Sequence, residues 1–150
     1  MPIFETHGVI GVGYEGLNID DFLVKLKKEQ VSLLVDVRLN PVSRKSGLSK
    51  NKLTASLQSL GISYVHAPAL GNPKWNRPGF ASSGSDLHEA RKKYSDIITS
   101  NEASEWIDRI AKEASDKVVA LMCFERNEEH CHRYVTLQEV RKRMDHLALI

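Results

Sequence analysis

The chain has 150 residues, of which 41% are hydrophobic and 27% are charged, and its formal net charge is +2. These values are those of one soluble domain, large enough to bury a core without a metal or disulfide scaffold. The near-neutral charge neither requires nor excludes a nucleic-acid partner, because affinity for phosphate depends on how the cations cluster.

The number of cysteines and the N-terminal sequence indicate the cellular compartment of the protein. The sequence contains only Cys123 and Cys131, too few for the disulfide framework of a secreted protein, which favours the reducing cytoplasm. Residues Met1–Glu5 have neither the basic start nor the apolar segment of a signal peptide, and no apolar run is long enough to cross a bilayer. We therefore expect a cytoplasmic protein with no membrane partner.

Strand-like segments recur along the chain. The second and fourth are nearly continuous apolar runs, which is typical of strands covered on both faces in a parallel sheet. The four predicted strands are residues 9–13, 32–37, 62–66 and 117–124.

Helical patterns lie between and after these strands. Asp20 is predicted to cap the first helix, which buries Phe22, Leu23 and Leu26. Further helices are predicted over residues 50–60, with Gly61 at the end, and over 85–99, 103–114 and 130–147.

Residues 71–84, rich in Pro, Gly, Asn and Ser, are predicted to form a long loop, and such loops inside a domain are more often functional than idle. The alternation of strands and helices predicts one α/β domain over residues 1–150. We expect three layers, with a mainly parallel central sheet of about four to five strands flanked by helices.

Polar residues accumulate where the predicted strands end. In open parallel sheets, ligands bind beyond the carboxyl ends of the strands, at a point where the strand order reverses. We therefore expect at least half of these side chains to line one shared site. They are Tyr14, Glu15, Asp36, Arg38, His66, Cys123, Glu125, Cys131, His132 and Arg133.

Several of these residues also have ordinary structural explanations. Asp36 follows an apolar segment, so its carboxylate needs a cation such as Arg38 or Arg44, and a structural ion pair explains it as well as catalysis does. His66 is expected to hydrogen-bond a loop carbonyl. Cys123, late in a core strand, is expected to be a small buried hydrophobic side chain.

Cys131, His132 and Arg133 are predicted to lie in the first turn of the last helix, if that helix starts near Glu129. Free N–H groups and the positive end of the helix dipole favour an anion and a thiolate there. This makes Cys131 a candidate nucleophile and Arg133 a candidate anion ligand, although an arginine at a helix start often only pairs with a nearby acid.

Gly11, Gly13 and Gly16 follow the first strand in the G-x-G-x-x-G pattern of dinucleotide-binding proteins, with Asp36 20 residues later. A nicotinamide cofactor bound through these glycines is therefore one alternative. Against it, Tyr14 and Glu15 would crowd and repel a pyrophosphate, and the first helix is predicted to begin too late. No cofactor is expected.

Cys123, Glu125, Cys131 and His132 are residue types that bind metals. Their spacing matches no standard zinc pattern. Moreover, Cys131 and His132, as neighbours on one helix, would point in different directions. The sequence therefore predicts no metal site.

The segment Lys74-Trp75-Asn76-Arg77 combines an aromatic ring with two cations, and this suits phosphate or single-stranded nucleic acid. Alternatively, the segment is a solvated loop with Trp75 packed into the body of the protein. Further cations that could extend a positive rim are Arg44, Lys45, Lys50 and Lys52.

Taken together, these motifs resemble the bacterial and archaeal family called domain of unknown function 488. The resemblance implies a single α/β domain, adds the loop after the second strand to the site, and supplies no activity. It spans about residue 9 to about residue 140. It rests on Gly13-Tyr14-Glu15-Gly16, on Asp36-Val37-Arg38 with Pro41, Ser43 and Arg44, on Leu70–Lys74, and on Cys123-Phe124-Glu125 with Cys131-His132-Arg133.

The leading hypothesis is an enzyme that acts on a phosphate-bearing substrate, either a nucleotide or a nucleic acid. Asp36 or Glu125 would do acid–base work. The rival hypothesis is a non-catalytic domain that binds nucleic acid or protein. The sequence determines neither whether the protein is an enzyme nor its oligomeric state. The predicted substrate-binding residues are Tyr14, Glu15, Arg38, Ser43, Arg44, His132 and Arg133.

Overall fold

Four parallel strands form one sheet in the computed structural model, which describes residues 7–149. The segment Met1–Glu5, for which no signal peptide is expected, lies outside the described residues. The spatial order of the strands is β1-β4-β2-β3. The strands are β1 (Gly8–Gly13), β2 (Val31–Asp36), β3 (Ser63–His66) and β4 (Val118–Cys123).

Helices cover both faces of this sheet, which confirms the predicted three-layer α/β class. Within residues 7–149, none of them has the length and apolar character needed to cross a bilayer. The helices are α1 (Ile19–Lys28), α2 (Lys50–Ser59), α3 (Arg77–Ala81), α4 (Gly84–Ile97), α5 (Asn101–Glu113) and α6 (Arg133–Ala148).

The two faces of β4 belong to different cores. All six residues of this strand are buried, and successive side chains point to opposite faces. Ala120 and Met122 pack in the cluster that contains α1 and α2, whereas Leu121 and Cys123 pack in the cluster that contains α4, α5 and α6. The alternation of side chains along β4 therefore determines which helical layer each side chain at the end of the strand contacts.

The start of α1 differs from the prediction by two residues. Asn18 is the cap, because its Oδ1 accepts a hydrogen bond from the backbone N–H of Asp21 at 2.8 Å. Asp20 lies inside the first turn, where a carboxylate still interacts favourably with the helix dipole. Phe22 and Leu26 are buried as predicted, whereas Leu23 is only partly buried.

The connections make β4 the point where the strand order reverses. The chain passes from β1 to β2 to β3 through α1 and α2 on one face, and it returns to β4, between β1 and β2, by way of the other face. The segment after β4 leads to α6 on that second face. Neighbouring strands thus send their connections to opposite faces, which opens a crevice at the carboxyl end of β4.

Two other segments differ from the prediction. Residues 71–84 contain a 3₁₀ turn, Lys74–Asn76, and the short helix α3, rather than only irregular loop. The last helix begins at Arg133, after a 3₁₀ turn at Glu128–His130, and Cys131 is extended. Cys131 therefore precedes the helix instead of lying in its first turn.

The glycines of β1 make room for the segment that follows β4. A Cβ on Gly13 would overlap the backbone oxygen of Glu125, and a Cβ on Gly11 would overlap the carboxylate of Glu128. The space beside both glycines is taken by the chain itself. The helix that a dinucleotide site needs within the glycines begins only at Ile19, so the structure contradicts the nicotinamide alternative.

We predict that Gly13→Ala destabilises the protein by roughly 1–3 kcal/mol, because the new methyl group forces the backbone at Glu125 to move. Gly11→Ala is the matched control, since its closest contact is the end of the flexible Glu128 side chain. Urea unfolding of both variants measures the difference. Equal losses at the two positions would contradict this account.

Candidate functional site

A pocket of about 460 Å³ lies at the carboxyl edge of the sheet, beside the end of β4. Its size is that of a small-molecule site. Six predicted site residues line it, namely Tyr14, Arg38, Ser43, Arg44, Glu125 and His132. The other lining residues are Leu39, Asn40, Val42, Lys45, Asn72, Arg77, Cys123 and Phe124.

Glu15 and Arg133 lie next to this pocket without lining it. Glu15 Oε1 accepts from the backbone N–H of Arg126 at 2.9 Å, and Arg133 Nη2 donates to the Glu125 carbonyl at 2.6 Å. Both side chains hold the loop between β4 and α6. Arg133 is 1% exposed, and only its Nη2 is used in this way, since its Nε and Nη1 have no hydrogen-bond partner within residues 7–149.

Asp36 and Arg38 form a buried ion pair. Arg38 donates from Nε to Asp36 Oδ1 at 2.9 Å and from Nη2 to Oδ2 at 2.7 Å. Its Nη1 donates to the Tyr14 hydroxyl and to the Leu48 carbonyl. Burial disfavours the charged guanidinium, but the hydrogen bond and the charge of Asp36 outweigh it, and the pKa of Arg38 lies above its usual value.

Both oxygens of the Asp36 carboxylate accept hydrogen bonds from Arg38. Tyr64 donates a further hydrogen bond to Oδ2, and burial together with this bond raises the pKa of Tyr64. Asp36 is completely buried and does not line the pocket. Of the two explanations left open by the sequence, the structure therefore favours the ion pair over acid–base catalysis. His66, as expected, hydrogen-bonds a loop carbonyl, that of Arg38, at 2.7 Å.

We predict that Asp36→Asn destabilises the fold by roughly 3–5 kcal/mol, because it leaves the Arg38 charge buried without its partner. The exposed pair Glu113–Lys117 provides the control, and Glu113→Gln should cost less than about 1 kcal/mol. Chemical denaturation checks both values. A stable Asp36→Asn protein would show that the pair is dispensable.

Three cations of the pocket have no carboxylate partner within 4.0 Å among residues 7–149, namely Arg44, Lys45 and Arg77. Lys45 Nζ donates to the backbone carbonyls of Tyr14 and Leu17, at 3.0 and 2.8 Å, which fixes the ammonium without neutralising it. Arg44 and Arg77 are exposed at the pocket edge. The positive charge here is thus available to an anion.

The loop after β2 holds Ser43 and Arg44 in place through its own hydrogen bonds. The Ser43 backbone N–H donates to Ser49 Oγ at 3.0 Å, and Ser49 Oγ donates back to the Ser43 carbonyl at 3.2 Å. The Lys45 N–H donates to Ser43 Oγ at 3.1 Å. Ser43 therefore shapes the loop that presents Arg44 and Lys45 to the pocket.

Apolar side chains form the remaining edge of the pocket. Val42, Phe124 and Leu39 are 72%, 42% and 37% exposed, and all three line the pocket. The Phe124 ring packs edge-on against Tyr14, with 5.4 Å between the ring centroids. An exposed apolar edge beside free cations suits a ligand that carries both an anionic group and an apolar or aromatic part.

Cys123, Cys131 and His132 form a buried group that we call the thiol–imidazole cluster. His132 Nδ1 lies 3.9 Å from the Cys123 Sγ and 3.7 Å from the Cys131 Sγ. His132 Nε2 lies 2.8 Å from the carbonyl oxygen of Val37, which fixes the ring. Cys123 and His132 also line the pocket, whereas Cys131 lies behind them.

The pKa shifts of the two thiols are the reverse of those expected from the sequence. A hydrogen bond from Cys131 and the neighbouring His132 lower the pKa of Cys123, against the effect of burial. Burial, followed by the interaction with Cys123, raises the pKa of Cys131. Burial disfavours a charged His132, but the negative charge on Cys123 outweighs it and raises the pKa of His132. The helix start was the reason to expect a thiolate at Cys131, and this reason does not hold, because Cys131 precedes the helix.

Glu125 faces both the pocket and the thiols. Burial, followed by the charge on Cys123, raises the pKa of its carboxyl group. Its Oε2 is buried and has no hydrogen-bond partner among residues 7–149, although the sequence suggested that such a carboxylate would be paired. An unpaired buried carboxylate oxygen is costly, so this oxygen is available to a hydrogen-bond donor or a cation that enters the pocket.

Sequence reasoning missed some pocket residues. Asn72 was not singled out by itself, although it lies in the Leu70–Lys74 motif. Cys123 was among the strand-end residues, but it was expected to be a small buried hydrophobic side chain rather than a nucleophile. Lys45 and Arg77 were assigned only to the alternative positive rim. The objection to a metal site was based on a wrong premise, since Cys131 and His132 do not share a helix and their donor atoms converge.

The fold and this pocket define a parallel-sheet α/β protein with a cation-lined site at its topological switch point. The chain belongs to the family described as domain of unknown function DUF488, whose model matches residues 18–140. The match covers the motifs of the loop after β2 and of the β4–α6 segment. No curated protein and no solved structure matches the chain.

Proposed function

We propose that this protein is an enzyme that acts on a nucleotide or a similar phosphate-bearing small molecule bound in the strand-end pocket. The observation that carries the proposal is a set of three cations around one cavity beside Glu125 that have no carboxylate partner within residues 7–149, namely Arg44, Lys45 and Arg77. Arginine and lysine side chains without internal counter-ions are suited to the non-bridging oxygens of phosphate.

The remaining walls favour a nucleotide over phosphate alone. Phe124, Val42 and Leu39 provide an exposed apolar surface next to the cations, against which a base can pack. A cavity of about 460 Å³ is large enough for a phosphate together with its organic substituent.

The β4–α6 wall supports an enzyme rather than a simple binding site. Cys123, Glu125 and His132 all face the same cavity, and their side chains are the types that act as nucleophiles, acids and bases. The cations would hold the phosphate, and Cys123, Glu125 and His132 would lie beside the bond that reacts. Asp36 has no part in this scheme, because its carboxylate holds Arg38.

We predict that Arg44→Gln and Arg77→Gln each weaken the binding of a nucleoside monophosphate by roughly tenfold or more, through loss of a charge-assisted hydrogen bond. Phe124→Ala should weaken the nucleotide but not inorganic phosphate. Glu125→Gln should keep nucleotide binding and lose turnover. Calorimetry measures the affinities, and mass spectrometry of nucleotides incubated with the protein measures the products.

The matched control is Lys92→Gln, an exposed cation on α4 outside the pocket, which should leave the nucleotide affinity unchanged. If Lys92→Gln weakens binding as much as Arg44→Gln, the interaction is non-specific. If nucleotides bind at the pocket but no product forms from any of them, the enzymatic part of the proposal is wrong.

A second candidate function, binding of single-stranded nucleic acid, is favoured by one specific observation. Trp75 is 65% exposed, so the alternative in which it packs into the body of the protein is wrong. The turn that carries it is anchored by Asn76, whose Nδ2 donates to Asn72 Oδ1 and to the Ala90 carbonyl, both at 3.0 Å. A rigid exposed indole between Lys74 and Arg77 is a surface on which a base can stack.

For this second function we predict that a single-stranded oligonucleotide quenches Trp75 fluorescence and that Trp75→Ala costs about 1–3 kcal/mol of binding. Trp106 is the control tryptophan, because it is only partly exposed and lies under the Arg109 guanidinium at 4.9 Å. Trp106→Phe should leave the affinity unchanged. An unchanged oligonucleotide affinity in Trp75→Ala would exclude a stacking role.

A further inference from the structure

The thiol–imidazole cluster has the composition and the shape of a metal site. One donor atom from each of Cys123, Cys131 and His132 lies within 4.8 Å of the other two, and all three residues are buried. Two thiolates and an imidazole form a donor set that selects Zn²⁺ over hard cations such as Mg²⁺. We propose that Cys123, Cys131 and His132 bind one Zn²⁺ ion, with Glu125 as the fourth ligand.

The distances within the cluster support a tetrahedral ion. Zinc–sulfur and zinc–nitrogen bonds of about 2.3 and 2.0 Å, at a tetrahedral angle, place the sulfur and nitrogen atoms roughly 3.5–3.6 Å apart. The Cys131 Sγ and Cys123 Sγ lie 3.7 and 3.9 Å from His132 Nδ1. Both sulfur–nitrogen distances are therefore within a few tenths of an ångström of those around a tetrahedral zinc ion.

His132 is oriented as metal-binding histidines usually are. The Val37 carbonyl can only accept a hydrogen bond, so the nitrogen that faces it, Nε2, carries a proton. A neutral ring then presents the lone pair of Nδ1 to the two thiols. A backbone carbonyl that fixes the other ring nitrogen is the common arrangement around ligating histidines, and here it connects the site to the end of β2.

Glu125 lies outside the set of donor atoms within 4.8 Å of one another, so its carboxylate would have to turn toward the ion to become the fourth ligand. Its carboxyl group lies beside both thiols, and its buried Oε2 has no hydrogen-bond partner within residues 7–149. A cation bound by the two thiolates would satisfy that oxygen directly. Because Cys123, Glu125 and His132 also face the pocket, the ion would lie at the wall of the cavity. The metal site requires none of the phosphate contacts, so phosphate binding and metal binding can fail separately. A bound ion would, however, occupy the side chains to which the proposed function gives nucleophilic and acid–base roles.

Cobalt(II) is the probe of choice, because its spectrum reports both the geometry and the ligand type. We expect the reduced full-length protein to bind one Co²⁺ ion per chain, with thiolate-to-cobalt charge transfer and the intense visible bands of a tetrahedral site. Zn²⁺ should displace the cobalt, raise the thermal unfolding temperature and block iodoacetamide modification of Cys123 and Cys131. These measurements use the wild-type chain, so they do not depend on the folding of any variant.

Substitutions then test each ligand. Cys131→Ser should lose the tetrahedral spectrum, while Glu125→Gln should keep the charge-transfer band and lose affinity. His88→Asn is the control, since His88 is exposed on α4, and it should bind cobalt like the wild type. A wild-type chain that binds no stoichiometric Co²⁺ or Zn²⁺, or thiols that zinc leaves equally reactive, would overturn the proposal and leave a packed dithiol–histidine cluster.

Discussion

The insertion of β4 between β1 and β2 is the constraint on which the site depends. The chain leaves β1 and β2 toward one face of the sheet and leaves β4 toward the other, so the connections that follow these paired strands diverge and a crevice opens between them. The glycines of β1 are needed for the same arrangement, because the segment that follows β4 packs directly against them. Gly13 leaves room for the backbone at Glu125, and a side chain there would push the β4–α6 segment away from the crevice.

A second constraint is electrostatic. Arg38 lies buried two residues after the end of β2. Its charge is tolerated there because Asp36 pairs with it in two side-chain hydrogen bonds and Tyr14 and Leu48 accept two more. The pair fixes the side of the crevice from which the loop with Arg44 and Lys45 departs. The positive charge that remains for a ligand therefore comes from Arg44 and Lys45 in the loop. Arg38, near the strand end, is neutralised by Asp36, although the Asp36-Val37-Arg38 motif is easier to recognise in the sequence.

Apolar periodicity and turn residues were sufficient to predict the four strands, their parallel arrangement and five of the six helices, because burial on both faces leaves a strong sequence signal. The short helix α3 and the late start of α6 were missed, since a 3₁₀ turn at Glu128–His130 has no comparable signal. In the site, six predicted residues do line one pocket. The sequence could not show that Asp36 is a buried ion-pair partner whereas Cys123 lines the pocket. Each role depends on the face of the sheet that the side chain occupies, and this face follows from the strand register and not from residue spacing.

The pocket has two chemically different walls, and their proximity has a thermodynamic consequence. The segments after β2 and β3 contribute cations that have no carboxylate partner in the described part of the chain, whereas the β4–α6 segment contributes thiols, an imidazole and a carboxylate. An anion at the first wall and a divalent cation at the second would attract each other across a partly desolvated cavity. Any such attraction makes the two binding equilibria reciprocal, so that each ligand strengthens the other by the same factor. With both proposed ligands bound, the two sites would respond together, because a metal held by Cys123 and a phosphate held by Arg44 would share one cavity.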